Sequence, residues 1–448
     1  MTNVNKRLFL LLVASLLVLG MLNTAVPVSA KSRTINVYEG DSIQRAIDSA
    51  IDGDTIAINS GVYYQRCFVN KRLAVVSKGA IIDLSGTDFD TAIYVVSSGV
   101  TISGFTIRNI PAQVHAGAIH YPVPDGGVSG GLIENNKIDS GFYGIVTNGP
   151  SNVEIRNNTV TAVNPIYIIN SPHVIISRNT LSAHKLDTDP TWRGQGITLH
   201  SGSSGLVASN EIISEADGID IYGPSNLEVR NNIVHTSVTA LNVDSGTNIT
   251  LKGNVFYASD SGIIMWGTNP NPIVKNNFVS CSNVGIVLAG AINAIVRDNE
   301  VRAIGFGIVL FTPSLPMVPN VKVTGNVIES GQIGIYLVKV SSAVVENNEV
   351  VASNWGIALS GVGNRIAYNT VTGNFMDGII IEGMSEPPTY IDSTDNAVLE
   401  NTIAGGTRAG DIGIYLNPYT SNNRLVRNTI SGVDVTIVDD GTGNTIRP

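Results

Sequence analysis

One asparagine returns thirteen times along this chain, and its spacing decides what the chain can fold into. It closes motifs such as "IRNN", "ISRN", "VRNN", "LKGN", "VKNN", "VRDN" and "VENN", and stands at Asn136, Asn158, Asn179, Asn210, Asn232, Asn254, Asn277, Asn299, Asn326, Asn348, Asn369, Asn401 and Asn428. The steps are 22, 21, 31, 22, 22, 23, 22, 27, 22, 21, 32 and 27 residues. A period near 22 interrupted only by longer steps is a regular repeat with insertions, the signature of a stacked architecture.

A second signature lies fourteen residues before most of these asparagines: "GIVT", "GITL", "GIDI", "GIIM", "GIVL", "GIYL", "GIAL" and "GIII". With the glycine numbered zero, positions +1 and +3 are apolar, as in Ile197 and Leu199, Ile219 and Ile221, Leu241 and Val243, or Ile286 and Leu288. Alternation of period two over so short a run predicts a strand with one buried face. Composition agrees, with 46 glycines, 6% aromatic and 14% charged residues, and many Val and Ile alternating with Asn, Gly and Ser. The chain is β-rich and turn-rich.

Some 22 residues holding two or three short strands cannot bury a core alone, whereas stacked copies can, each strand pairing with its copy above and below at about 4.8 Å. The expected fold class is all-β: a single-stranded parallel β-solenoid of about 22-residue coils. The recurring asparagine then has a structural role, forming a ladder inside one turn whose amides bond from coil to coil. Ile43, Ala46, Ile47, Ala50 and Ile51 make an apolar stripe at helical spacing, with Asp41 or Ser42 before it as cap. Such a helix would cover the open first coil and its unpaired strand edges. The expected division is residues 1–30 as signal peptide, 31–62 as N-terminal cap and 63–448 as solenoid.

The repeats, together with the opening "INVYEGDSIQRAIDSAIDGDTIAINSGVYY", resemble the right-handed parallel β-helix proteins of the pectin-lyase-like superfamily. Within it they are similar to the NosD-like, carbohydrate-binding and sugar-hydrolase branch. The resemblance covers roughly residues 34 to 448 and implies a right-handed coil. It does not fix a function, because this scaffold hosts lyases, hydrolases, epimerases, adhesins and non-enzymes. The catalytic-arginine signature of pectate lyases, the paired aspartates of polygalacturonases and the Asp-Pro-His motif of alginate epimerases are not found on matching strands.

The chain begins with Lys6 and Arg7, an apolar run from Leu8 to Leu19, then Pro27 and "VSA". This reads as a secretory signal cleaved after Ala30, too short for a comfortable membrane span. Localisation is therefore expected to be secreted, periplasmic or cell-surface, with no membrane span after cleavage. Loss of the two basic residues moves the formal charge from -9 to -11, with 25 Lys+Arg against 36 Asp+Glu. That balance argues against a nucleic-acid partner. Two cysteines, Cys67 and Cys281, lie about ten coils or roughly 45 Å apart at the strand spacing, so no bridge between them is expected.

Positions +2 and +4 of the glycine strand are expected to face outward. Most are apolar or neutral, but from Gly196 to Gly262 they become polar and aromatic: His200, Asp220, Tyr222, Asn242, Asp244 and Trp266, with Gln195 and Asp217 at the strand entrance. The long insertion "AHKLDTDPTWRG" adjoins this stretch and brings Trp192 and Arg193. Insertions of solenoids cluster on the binding face. Asp220 and Asp244, with Cα atoms about 8 Å apart, could flank a glycosidic bond as acid and base. Alternatively, Asp217, Asp220 and Asp244 could supply part of a Ca²⁺ site completed by a uronate, with Arg193 or His200 removing the acidified proton. Trp192, Tyr222 and Trp266 are candidate platforms for sugar rings, and Asn242 a candidate hydroxyl contact. Ordinary solvated surface is the competing reading of the same residues.

The NosD resemblance raises copper, but the six histidines are scattered without a Met or Cys cluster, so a copper site is not supported. Arg156, Arg230, Lys252, Lys275 and Arg297 each stand two residues before a ladder asparagine, as a stripe on another face. The leading expectation is an exported β-helix that binds, and in its catalytic version cleaves, a polysaccharide, acidic if the Ca²⁺ version holds. The alternatives are a non-catalytic envelope or adhesin β-helix, as monomer or homotrimer, and a NosD-like accessory protein.

Overall fold

The computed structural model describes residues 32–448, apart from 112–116, 123–126, 187–193, 314–316, 384–390 and 407. The expected signal peptide, Trp192 and Arg193 therefore lie outside the described residues. The rest winds into a parallel β-solenoid of about 18 turns.

One coil stands for the others. Its first strand is Ile219–Tyr222, its second Leu227–Arg230 and its third Ile233–Thr236. Each pairs in parallel with its copy in the next coil: Ile219 with Leu241, Val229 with Leu251, Val234 with Phe256. Because register is conserved from coil to coil, a sequence position becomes a column along the axis. The inward column Ile197, Ile219, Leu241, Ile263, Ile286, Ile308 is fully buried at every step.

The turn between second and third strands carries the asparagine ladder as expected. The residue before the ladder position takes a left-handed conformation, as at Asn157 (φ 53), Asn231 (φ 53) and Asn276 (φ 55). Asparagine tolerates that region better than most L-residues, which explains the doubled "NN". The ladder residue then points inward. Asn254 Nδ2 donates to Asn277 Oδ1 and to the Val229 carbonyl, both at 2.9 Å, while its Oδ1 accepts from Asn232 N and Nδ2 at 3.0 Å. Two further ladders escaped the sequence reading. A buried one runs Asn364, Asn396, Asn423, Asn444 near the C-terminus. An exposed one runs Asn226, Asn248, Asn271, Asn293, Asn320.

The N-terminal helix spans Ile43–Ser49, with the Ser42 hydroxyl accepting from Arg45 N at 3.2 Å. Ile43 and Ile47 are fully buried against the first coils. Ile51, expected in the same stripe, is 45% exposed, because the helix ends before it. Cys67 and Cys281 are buried and unbridged. Among the described residues no helix is long and apolar enough to cross a membrane.

Candidate functional site

The outer face of the first-strand sheet is set by a break in alternation at each glycine. A Cβ on Gly218 would fall on Val234 Cγ1 inside the coil, and Ile219 also points inside. Two successive inward positions shift the parity, so positions -1 and +2 share the outer face. Gln195 and Asp217, both at -1, thereby join Asp220 and Tyr222.

Asp220 is the centre of the resulting cluster, and it is not on open surface. Its relative exposure is 0%. Its Oδ2 accepts from the Tyr222 hydroxyl at 2.6 Å and from Gln195 Nε2, and its Oδ1 accepts from Asn242 Nδ2 at 2.9 Å. Burial pushes its carboxyl above the usual range, against the opposing effect of the bonds from Tyr222 and Asn242; the nearby Asp244 charge pushes the same way as burial. Thr198 donates to Gln195 Oε1 at 3.3 Å and so orients that amide. Asp217 accepts from Thr239 N at 3.2 Å, and its charge helps raise the Tyr222 phenol, after burial and the bond to Asp220.

The other expected residues divide. Asp244 and Trp266 are exposed and adjacent in register, and Trp266 meets Phe311 edge-on at 5.8 Å. Trp266 is an open platform. Tyr222 is not, since His200 stacks on it at 5.0 Å with planes 18° apart. His200 in turn contacts Tyr167 at 5.0 Å, and Tyr167 contacts Tyr143 at 4.8 Å. Burial in this stack holds His200 below the ordinary imidazole value, which favours the neutral ring. The aspartates do not gather as a metal site: among the described residues no three His, Cys, Asp or Glu converge. Asp220 instead accepts side-chain donors from Gln195, Tyr222 and Asn242.

Sequence reasoning missed part of this face. Tyr143 belongs to the ring stack but occupies a -1 position, which the +2 and +4 columns leave out. Phe142, Tyr143 and Val146 form a small apolar cluster outside the sheet, covered by Tyr167 and by Leu186 from the insertion. Further along, Asp377, also at -1 and only 4% exposed, lies beside the Trp355 indole. Burial pushes its carboxyl up to about 6, with Trp355 and Arg408 opposing. Glu382 accepts from the Tyr336 hydroxyl at 3.2 Å and is likewise pushed up by burial. Reading the -1 column would have found Tyr143 and Asp377.

The basic stripe is real in register: Arg230, Lys252, Lys275 and Arg297 follow one another on consecutive second strands. Arg230 lies 3.8 Å from Glu228 and Arg297 2.7 Å from Asp298, while Arg156 pairs with Glu134 and Glu154 at 2.9 Å. Local carboxylates thus offset much of its charge.

This architecture has a counterpart among known proteins. The description "Right handed beta helix region" matches residues 91–256 and 196–350, together more than half of the chain. The chain belongs to that family. Residues 314–447 also match the description "Periplasmic copper-binding protein (NosD)". No curated protein sequence matches the chain. Among solved structures it is similar to the A-module of the mannuronan C-5 epimerase AlgE4 from Azotobacter vinelandii, at 14% identity and TM-score 0.35, over 90% of this chain and 95% of that one. It is also similar to PfbA, a surface adhesin of Streptococcus pneumoniae, at 17% identity and TM-score 0.40, over 84% and 89% of the two chains. A family 28 exopolygalacturonase of Yersinia enterocolitica follows at 12% identity and TM-score 0.31, over 94% and 78%.

The residues present do not fit copper. The segment 314–447 contains no histidine and no cysteine; its only sulfur donors are Met317, Met376 and Met384. Copper is held by imidazole together with thiolate or thioether groups brought close, and that set is missing from the matched segment.

Proposed function

We propose that this protein is exported and binds a polysaccharide along the outer face of its first-strand sheet, between Tyr167 and Trp266. The carrying observation is that Asp220 fixes three polar side chains, Gln195, Tyr222 and Asn242, beside the exposed Asp244 and Trp266. Sugar recognition uses such preset hydrogen-bonding groups next to an aromatic surface. Trp266 offers the ring face. Asp244 is exposed and offers acceptors for hydroxyls, although its Oδ1 already accepts from the Ser245 hydroxyl at 3.0 Å.

The same geometry favours binding over cleavage. Glycoside hydrolysis needs two carboxyl groups free to act, one as acid and one as base or nucleophile. Asp244 is exposed. Asp220 is enclosed, so it acts as a positioning residue for Tyr222 and Asn242. Export rests on the expected signal at residues 1–30 and on the match of residues 314–447 to a family described as periplasmic.

The test is a panel of neutral and uronate polysaccharides, with Ca²⁺ or chelator, followed for retention, new reducing ends and the absorbance of an unsaturated uronate. Retention without new ends, weakened about tenfold by Trp266→Ala, is the expected result. New reducing ends abolished by Asp244→Asn would replace binding by hydrolysis. Unsaturated product lost on chelation would restore the Ca²⁺ reading of Asp217, Asp220 and Asp244. No retention across the panel would remove the proposal.

A further inference from the structure

A second groove, of about 950 Å³, runs along the third-strand sheet on a different face. One wall is a column in register: His235, Tyr257, Ser280, Arg302, Glu329 and Val351. Its floor is the neighbouring column Thr236, Ala258, Cys281, Ala303 and Ser330, all small side chains. The opposite wall is the following turn, with Ser259, Ser282, Ile304, Gly331 and Ser353. Five steps at the strand spacing make it about 24 Å long.

One atom marks the groove as unfinished. In other coils the hydroxyl that ends the third strand bonds to a main-chain carbonyl: Ser140 to Tyr143 at 2.6 Å, Ser214 to Asp217 at 2.9 Å, and Thr236 to Ala216. Ser330 holds the same place, is 5% exposed, and its Oγ has no partner. Buried hydroxyls without partners are few in folded proteins, and this one lines a groove.

We propose that the groove binds an extended neutral oligosaccharide lying along the solenoid axis. Serine hydroxyls on floor and wall suit a ligand rich in hydroxyls. Arg302 and Glu329, neighbours in register, offer donors and acceptors side by side. His235 stacks on Tyr257 at 4.8 Å and so presents a flat ring surface in the wall, with Phe278 tilted against Tyr257 at 5.6 Å behind it. An acidic glycan fits less well: Arg302 already pairs with Glu300 at 2.7 Å, and Glu329 stands beside it. This inference is independent of the reading of the first-strand sheet.

Calorimetric titration of the purified chain with cellopentaose, xylopentaose and mannopentaose, and with trigalacturonate for contrast, tests it. Binding of a neutral pentasaccharide is expected, weakened about tenfold by Arg302→Ala and by Ser282→Trp, which fills the groove from an exposed position, and unchanged by Trp266→Ala. Absence of binding by all three neutral sugars overturns the proposal. So does a preference for trigalacturonate, or binding sensitive to Trp266→Ala and indifferent to Ser282→Trp.

Discussion

Tyr222 donates its hydroxyl to Asp220 Oδ2 across 2.6 Å, from two residues further along the same strand. Burial pushes both groups up; the shared hydrogen bond raises the Tyr222 phenol further and works the other way on Asp220, favouring its ionised form. The carboxyl is therefore an acceptor for three side-chain donors, a role that asparagine cannot fill with its single oxygen. Asp220→Asn turns an NH₂ toward Gln195, Tyr222 or Asn242 and leaves at least one donor unpaired. The expected cost is about 1–3 kcal/mol in denaturant unfolding. Tyr222→Phe removes one bond and keeps the ring stacked on His200, so about 1 kcal/mol is expected. An Asp220→Asn protein as stable as the parent would mean that the carboxyl is not the organiser of this face.

The buried and exposed asparagine ladders give a matched comparison. Asn254→Ala strips partners from Asn232, Asn277 and the Val229 carbonyl at a site with 0% exposure, so a loss of about 1–3 kcal/mol is expected. Asn248 makes the same amide-to-amide bonds in water, and its φ of 54 suits glycine. Asn248→Gly should change the unfolding midpoint by less than about 0.5 kcal/mol. Equal effects at the two positions would contradict a structural role for burial of the first ladder.

The thiols should be silent in the folded protein. Burial pushes Cys67 up to about 12 and Cys281 up to about 11, so the thiolate is scarce at pH 8. Neither thiol should react quickly with a disulfide reagent until denaturant is added, when both should. Rapid reaction of one thiol in the native state would place Cys67 or Cys281 in a more open setting than the solenoid gives it.

How much of this was legible in the sequence depends on what a column records. Inward positions repeat because each must fit the same interior, so Ile219, Leu241 and Ile263 announce the stack, and Asn232, Asn254 and Asn277 announce the ladder. Outward positions carry no such repeat. The strand pattern placed Asp220 outside, correctly, yet could not reveal that Gln195 and Tyr222 cover it. Parity counted from Ile219 also misses that Gly218 takes a second inward place, so it leaves Tyr143 and Asp377 out of the outward columns. The groove at Ser330 was invisible for another reason: small residues ending the third strand look like packing until one of them is left without a partner.

Asp377 offers the clearest test of that overlooked column. Its carboxyl is 4% exposed, and burial raises it from an ordinary 3.8 to about 6. A raised carboxyl favours its neutral form in the folded state. Its contribution is thus fully present below pH 3.8 and is lost as pH rises through about 6. Asp377→Asn keeps the neutral shape at every pH. Parent and variant should therefore be similar in stability at pH 3.5, and the variant should gain relative to the parent by pH 7.5. The gain is expected to be on the order of 1–3 kcal/mol. Unfolding in denaturant at the two pH values measures it directly. A stability difference that does not change between them would mean that Asp377 stays ionised in the fold, held by Arg408 more strongly than burial opposes.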